Sequence, residues 1–99
     1  MLAARYLRVA EQELLEARDF YNDRNPSLGL RFLEDVENVI TRLQQNPLLG
    51  KTVRPNIRET LLRRFPYRLL YGVEETEIVI VAVAHFKRQP MYWSGRAGT

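Results

Sequence analysis

The spacing of apolar residues follows a helical period in the first half of the chain and a strand-like pattern in the second. Residues 4–9 alternate loosely and predict a short first strand. From Ala10, apolar residues recur every three or four positions until Asn25-Pro26, which predicts one helix. A second helix, capped by Ser27 and ending near Gln45, is predicted because one face collects the apolar residues Phe32, Leu33, Val36, Val39, Ile40 and Leu43.

Three strands are predicted in the second half, over residues 58–65, 67–73 and 77–84, after a loop that passes through Gly50. The turns that join these strands are short, which favours an antiparallel meander. The run from Ile78 to Ala84 contains no polar residue, so both faces of this strand are expected to be covered, as in a central strand.

These elements predict an α+β fold in one domain, residues 1–99, with the order β-α-α-β-β-β. The apolar stripes of a helix hairpin need cover, so the hairpin is expected to pack on one face of a mostly antiparallel sheet. The N-terminal strand is expected at the edge of that sheet. The polar face of the second helix, which includes Asp35, is expected to lie away from the core, and residues 94–99 are expected to form a flexible tail.

Composition fits one globular domain, because a 99-residue chain that is 45% hydrophobic and 27% charged is ordinary for that class. No cysteine is present, which excludes disulfides and thiolate metal sites, and no window resembles a signal peptide or a membrane span. A cytoplasmic protein without membrane contact is therefore expected.

Basic charge is concentrated in the second half of the chain. Residues 1–50 carry six basic and eight acidic side chains, whereas residues 51–99 carry nine basic and four acidic ones. This asymmetry favours an anionic partner, which would be RNA, DNA or an acidic protein segment. The alternative is that arginines only keep an open sheet face soluble.

His85, the only histidine, directly follows the most apolar strand. An imidazole there could act as a general acid or base, but a histidine that packs at the strand end and bonds to backbone is the favoured interpretation. Because there is no second histidine and no cysteine, neither a metal site nor a cofactor is predicted.

Arg63, Arg64 and Arg68 form a cluster of cations within the predicted strands. Neighbouring strand residues face opposite sides, so either Arg63 or Arg64 should share with Arg68 the sheet face opposite the helices. Arginines there could clamp a phosphate or a carboxylate through paired N–H groups. The alternative is a solvated face on which the arginine stems cover apolar neighbours.

The end of the chain interleaves cations with aromatic rings, in the order Lys87, Arg88, Tyr92, Trp93 and Arg96. This composition is typical of a surface that binds nucleobases or peptides. In the alternative, Tyr92 and Trp93 fold back to close the end of the core. Both interpretations could also hold, with one ring on the binding surface and the other in the core.

Common catalytic motifs are missing from the sequence, including a Gly-rich phosphate loop, a nucleophile elbow and the HExxH zinc motif. Any chemistry would be acid–base phosphoryl transfer on RNA, in which a base activates the 2′-hydroxyl and cations stabilise the phosphate. His85, Arg68 and Tyr92 are the candidates for those roles.

Two segments have a specific family resemblance. The first is R-R-F-P-Y-R-L-L-Y at residues 63–71, and the second is H-x-x-R-x-P-x-Y-W at residues 85–93. With A-x-x-E-L-L-E-A in the first helix and L-G-L-R-F-L-E-D-V-E in the second, they make the chain resemble the RelE/ParE superfamily of type II toxin–antitoxin toxins, in its ParE-like, plasmid-stabilisation branch. The resemblance implies the same β-α-α-β-β-β order.

The resemblance also implies a cognate ParD-like antitoxin, a hetero-oligomeric complex with it, and one of two activities. ParE-like members act on DNA gyrase, whereas RelE-like members cleave mRNA in the ribosomal A site. Lys51 and Lys87 are the only lysines, and His85-Phe86 lacks the His-Tyr ending of one ribonuclease group, so the gyrase-binding branch is favoured. Arg68 matches an arginine of several ribonuclease members, which keeps that alternative. A degenerate toxin that only binds its antitoxin is the third possibility.

The target- or antitoxin-binding residues expected from both lines of reasoning lie near the predicted sheet and in the tail. They are Arg63, Arg64, Arg68, His85, Lys87, Arg88, Tyr92 and Trp93.

Overall fold

Two helices and five strands follow one another along residues 1–96, the part of the chain that the computed structural model describes. Their order is β1 (Ala3–Tyr6), α1 (Arg8–Arg24), α2 (Leu28–Gln45), β2 (Lys51–Arg54), β3 (Ile57–Leu61), β4 (Tyr67–Val73) and β5 (Glu77–His85). The strands form one sheet in the order β1-β5-β4-β3-β2. The predicted fold class is confirmed, with one strand more than the sequence indicated.

β5 occupies the position that its uniform apolarity predicted. It pairs in parallel with β1, which lies at the sheet edge as expected, and in antiparallel fashion with β4. Every residue from Ile78 to Ala84 is buried, because both faces of the strand are covered.

The helix hairpin covers one face of the sheet. The stripe predicted on α2 is buried in a first apolar cluster with Ile78, Ile80 and Val83 of β5, and only Leu33 of that stripe is partly exposed. Gly29 allows the helices to approach closely, since a Cβ atom there would collide with Asn22 of α1. Side chains of the opposite sheet face form a second cluster, which contains Ile57, Leu70, Val81, Ala82, Ala84 and Trp93.

Several boundaries differ from the prediction. β1 ends at Tyr6 and α1 already begins at Arg8, so Val9 belongs to the first helical turn and not to the strand. β2 was missed because K-T-V-R is only four residues long, too short for a strand pattern to stand out from the loop around it. Pairing with β3 makes it a strand, with an irregularity between Thr52 and Arg54.

The turn between the helices also works differently from the prediction. Ser27 precedes α2 as expected, but its side chain does not cap the helix. Instead, its backbone N–H and its hydroxyl both donate to the Asn25 side-chain oxygen, each at 3.0 Å. Asn25 therefore organises this turn.

A buried tyrosine fixes the loop between α2 and β2. The Tyr71 hydroxyl donates to the Pro47 carbonyl and accepts from the Gly50 N–H, at 2.8 Å each. A Cβ atom at Gly50 would lie 2.6 Å from that hydroxyl, so a larger residue would force this contact apart. The loop is thus held by the sheet beneath it.

No helix within residues 1–96 is long and apolar enough to cross a membrane. Of the predicted tail, residues 94–96 are described and Arg96 is hydrogen-bonded to Glu13, whereas residues 97–99 lie outside the described part.

Substituting Tyr71→Phe should lower the free energy of unfolding by about 1–3 kcal/mol, because the buried Gly50 N–H and the partly buried Pro47 carbonyl both lose their partner. Urea denaturation measures this change. Tyr6→Phe is a suitable control, since no hydrogen bond of that half-buried hydroxyl is seen among residues 1–96, and it should change stability much less. Equal effects of the two substitutions would contradict the role of Tyr71.

Candidate binding surface

The residues after β5 fold back across the second face of the sheet. Within this C-terminal segment, residues 86–96, Trp93 is only 4% exposed and packs in the second apolar cluster. Burying an aromatic ring of this size contributes about 3–5 kcal/mol. Of the two alternatives for the tail, Trp93 therefore closes the core, and it supports the surface above it instead of forming that surface.

Arg68 lies on the sheet face opposite the helices, as predicted, since it stands opposite Ala84 of the second cluster. Its guanidinium pairs with Glu59 at 3.1 Å, and its carbon atom Cζ lies 5.1 Å from the centre of the Phe86 ring. Phe86 and Leu61, which pairs with Arg68 in the strand ladder, are 43% and 53% exposed. A charged pair thus stands beside two exposed apolar side chains.

His85 is tied to the backbone at the end of β5. Its Nδ1 atom accepts the N–H of Lys87 at 3.0 Å, and its ring meets Tyr67 edge-on with 5.1 Å between ring centres. In a neutral imidazole whose Nδ1 accepts, the proton sits on Nε2, so this ring can donate a hydrogen bond but has no nitrogen left to accept one.

Arg88 and Tyr92 form the outer part of the segment. The Arg88 guanidinium lies 3.9 Å from the centre of the Tyr92 ring, an arrangement that fixes a long flexible side chain. Lys87, the preceding residue, is exposed. These three residues present cations and an aromatic ring at one end of the sheet.

Glu13 of α1 connects the helix hairpin to this segment. Its two carboxylate oxygens accept from the Tyr92 hydroxyl at 2.7 Å, from Arg96 at 2.9 and 3.1 Å, and from the Val83 N–H at 3.0 Å. Burial and then the bond to Glu13 raise the pKa of Tyr92 above its ordinary value, so this hydroxyl remains protonated. We name these contacts of Glu13 with Tyr92 and Arg96 the Glu13 clasp.

Arg63 and Arg64 are not strand residues, which corrects the prediction. β3 ends at Leu61, and both arginines lie in the following loop with exposed side chains. Their backbone N–H groups donate to the Asp35 carboxylate at 3.3 and 2.8 Å. Asp35 is buried, contrary to its predicted place on the polar face of the helix, because it anchors this loop.

A cleft of about 200 Å³ lies between the C-terminal segment and the sheet. Five of the predicted residues line it, together with Glu59 and Phe86: Arg68, His85, Arg88, Tyr92 and the largely buried Trp93. Arg63, Arg64 and Lys87 are not part of this cleft. Within residues 1–96, no group of three histidine, aspartate or glutamate side chains is placed to hold a metal ion.

Comparison with known proteins decides the family. A family model described as the ParE toxin of the type II toxin–antitoxin system, parDE, matches residues 4–90. The chain belongs to the ParE toxin family.

A solved structure agrees with this assignment. The chromosomal ParDE TA (toxin–antitoxin) system from P. aeruginosa contains a chain that is 25% identical and superimposes with a TM-score of 0.74. The similarity covers 86% of this chain and 96% of that one. No curated protein sequence gives a significant match. The ParE family resemblance inferred from the two motifs is therefore confirmed.

Two acidic residues important for this ParE-family surface were not foreseen. Asp35 lies next to Val36 on the helix, at the border of the apolar stripe, which is the only signal for its burial in the sequence. Glu13 looked like one of several acids near the start of α1. Its contact residues lie about 70 to 83 positions away, so spacing along the chain does not reveal them.

Alkaline pH should destabilise this ParE-family protein through its buried tyrosines. Burial and then the nearby Tyr21 raise the pKa of Tyr67 to about 12; burial and then Glu37 and Glu11 raise the pKa of Tyr6 to about 12. Unfolded tyrosines titrate near 10, so this stability is complete below about pH 10 and is lost as the pH rises toward 12.

Urea unfolding measured across that pH interval tests this expectation. The wild-type free energy of unfolding should fall with increasing pH, and Tyr67→Phe should show a shallower fall. A stability that stays constant throughout the interval would contradict it.

Proposed function

We propose that this ParE-family toxin inhibits growth by binding a macromolecular target, DNA gyrase, and that a cognate ParD-like antitoxin neutralises it. The family match over residues 4–90 carries the proposal. The surface built from Arg68, Phe86, Arg88 and Tyr92 supports it, because cations beside exposed apolar and aromatic groups favour protein recognition.

Internal contacts of the surface favour binding over catalysis. His85 uses its acceptor nitrogen for the Lys87 N–H, Arg68 is paired with Glu59, and the Tyr92 proton is held by Glu13. A general base needs a free acceptor, and a general acid works best when its pKa lies near the operating pH. In this arrangement the three side chains are better suited to contacting a partner protein than to transferring protons.

The ParD-like antitoxin is proposed to bring acidic and apolar residues to this toxin. Arg64 on the β3–β4 loop and Arg68 on the sheet offer positive charge, while Leu61 and Phe86 offer exposed apolar area next to them. The helix hairpin adds further apolar side chains, since Leu15 and Leu30 are also exposed. An acidic peptide with apolar residues matches both features.

A second candidate function is ribonuclease activity, because three candidate catalytic residues lie in one cleft. Arg68, His85 and Tyr92, the set that a RelE-like ribosome-dependent ribonuclease would use, line the same cleft. Under that hypothesis, primer extension on translated mRNA reveals new A-site cuts, which disappear in Arg68→Ala and His85→Ala. A degenerate toxin would instead leave growth unaffected when expressed without antitoxin.

Purified toxin should inhibit supercoiling of a relaxed plasmid by DNA gyrase. Arg68→Ala and Arg88→Ala should each raise the concentration needed for half-inhibition about tenfold, the effect of a well-placed interface arginine. Arg31→Ala, which removes an exposed arginine from α2, serves as the control and should behave as wild type. Full supercoiling at saturating wild-type toxin would rule out gyrase as the target.

The protein encoded by the neighbouring reading frame should co-purify with the toxin and restore growth. Charge reversal at Arg64→Glu should weaken this complex about tenfold or more in isothermal titration calorimetry, and added salt should weaken the wild-type complex. The mutant retains the backbone bonds to Asp35, so its fold is expected to persist. Unchanged affinity in Arg64→Glu would exclude this loop from the antitoxin interface.

A further inference from the structure

The edge of β5 is protected in two different ways along its length. Up to Ile80, the backbone pairs with β1 and with the Leu7 N–H. Beyond that point β1 has ended, and side chains take over: Glu13 accepts the Val83 N–H, and Arg96 donates to the Val81 carbonyl at 3.1 Å. The Glu13 clasp thus completes the edge and holds the C-terminal segment against it.

The carboxylate of Glu13 is saturated by these contacts. Each oxygen accepts two hydrogen bonds, and the Glu13 and Arg96 side chains are only 14% and 17% exposed. A partly buried, charge-assisted and bidentate pair has a well-defined geometry. Tyr92, which shares this carboxylate, is consequently fixed in position, and its ring carries the Arg88 guanidinium.

The backbone of the C-terminal segment does not favour this conformation by itself. Met91 has a φ of 64°, which is uncommon for a residue with a side chain, and Gly95 has a φ of 92°. Such conformations persist where surrounding contacts determine them. Here Tyr92 of the Glu13 clasp and the buried Trp93 lie between Met91 and Gly95. Arg96 of the clasp directly follows Gly95, a residue type that adopts a positive φ readily.

We propose that Glu13 is a positioning residue: through Tyr92 and Arg96 it locks the C-terminal segment in the shape that presents Arg88 and Tyr92 to the target. The part of this inference that concerns target binding rests on the proposed function. The matched family region ends at residue 90, so Tyr92 and Arg96 lie beyond it. Glu13 itself is largely covered and acts through the residues that it holds.

Trp93 provides a direct reporter, because it is the only tryptophan and belongs to the clasped segment. Glu13→Gln keeps the size of the side chain but loses the charge and the paired bonds to Arg96. The substitution should shift Trp93 emission to the red, increase its quenching by acrylamide, and raise the toxin concentration for half-inhibition of gyrase about tenfold. Glu11→Gln removes the same charge from an exposed position on α1 and should change none of these.

Gly95→Ala tests the same clasp without touching any contact residue. Apart from its two chain neighbours, no atom of residues 1–96 lies within 4 Å of a Cβ built there, so among the described contacts the substitution acts through its positive φ. It should reproduce the Trp93 and gyrase effects of Glu13→Gln in a weaker form. Circular dichroism and thermal unfolding establish whether each variant is folded. If Glu13→Gln does not fold, the Trp93 and gyrase measurements on Gly95→Ala test the proposal.

Each result has a defined meaning. Unchanged Trp93 quenching in folded Glu13→Gln and Gly95→Ala would show that the segment is held without Glu13 and would overturn the proposal. Increased quenching with unchanged gyrase inhibition would overturn the positioning role. A wild-type protein that leaves gyrase unaffected would refute the proposed target instead; affinity for the ParD-like antitoxin would then replace inhibition as the binding readout.

Discussion

A strand that is apolar on both faces imposes the main constraint on this fold. β5 cannot leave either face to water, because each exposed methylene-sized group would forfeit about 0.8 kcal/mol. The helix hairpin covers one face, and the C-terminal segment, through Trp93, covers part of the other. The position of the candidate surface follows from this constraint, since the segment that covers β5 also carries Arg88 and Tyr92.

The surface is built from side chains that are already engaged within the protein. Arg68 is paired with Glu59, Arg88 lies on Tyr92, and His85 is bonded to the next turn of backbone. Long cationic side chains lose much conformational entropy when a partner immobilises them, and internal contacts reduce that loss in advance. Preorganisation of this kind suits a small protein with one modest core, in which little free energy is available for ordering upon binding.

Sequence patterns predicted the elements that local periodicity determines. The ends of the helices before Asn25 and after Gln45, the course of β4 and β5, and the burial of the α2 stripe all follow from spacing and turn residues. The missed features depend on partners far along the chain. β2 exists because β3 pairs with it, Arg63 and Arg64 leave the strand because Asp35 binds their backbone, and Glu13 differs from Glu11 only in what it touches. The family motifs identified the toxin class. They did not show that Trp93 is buried beneath the surface that the other side chains of the segment form.

The two outer strands of the sheet, β1 and β2, are four residues long, and β2 carries an irregularity followed by Pro55. Short, irregular and cationic edges are poor templates for another strand, so they discourage sheet-to-sheet association of a protein that must find a heterologous partner. Under the proposed function, recognition then relies on side chains and not on a shared main-chain ladder. A few surface substitutions can consequently change which partner is preferred while the hydrogen bonding of the sheet stays intact, which is how related toxins on one scaffold could become insulated from one another.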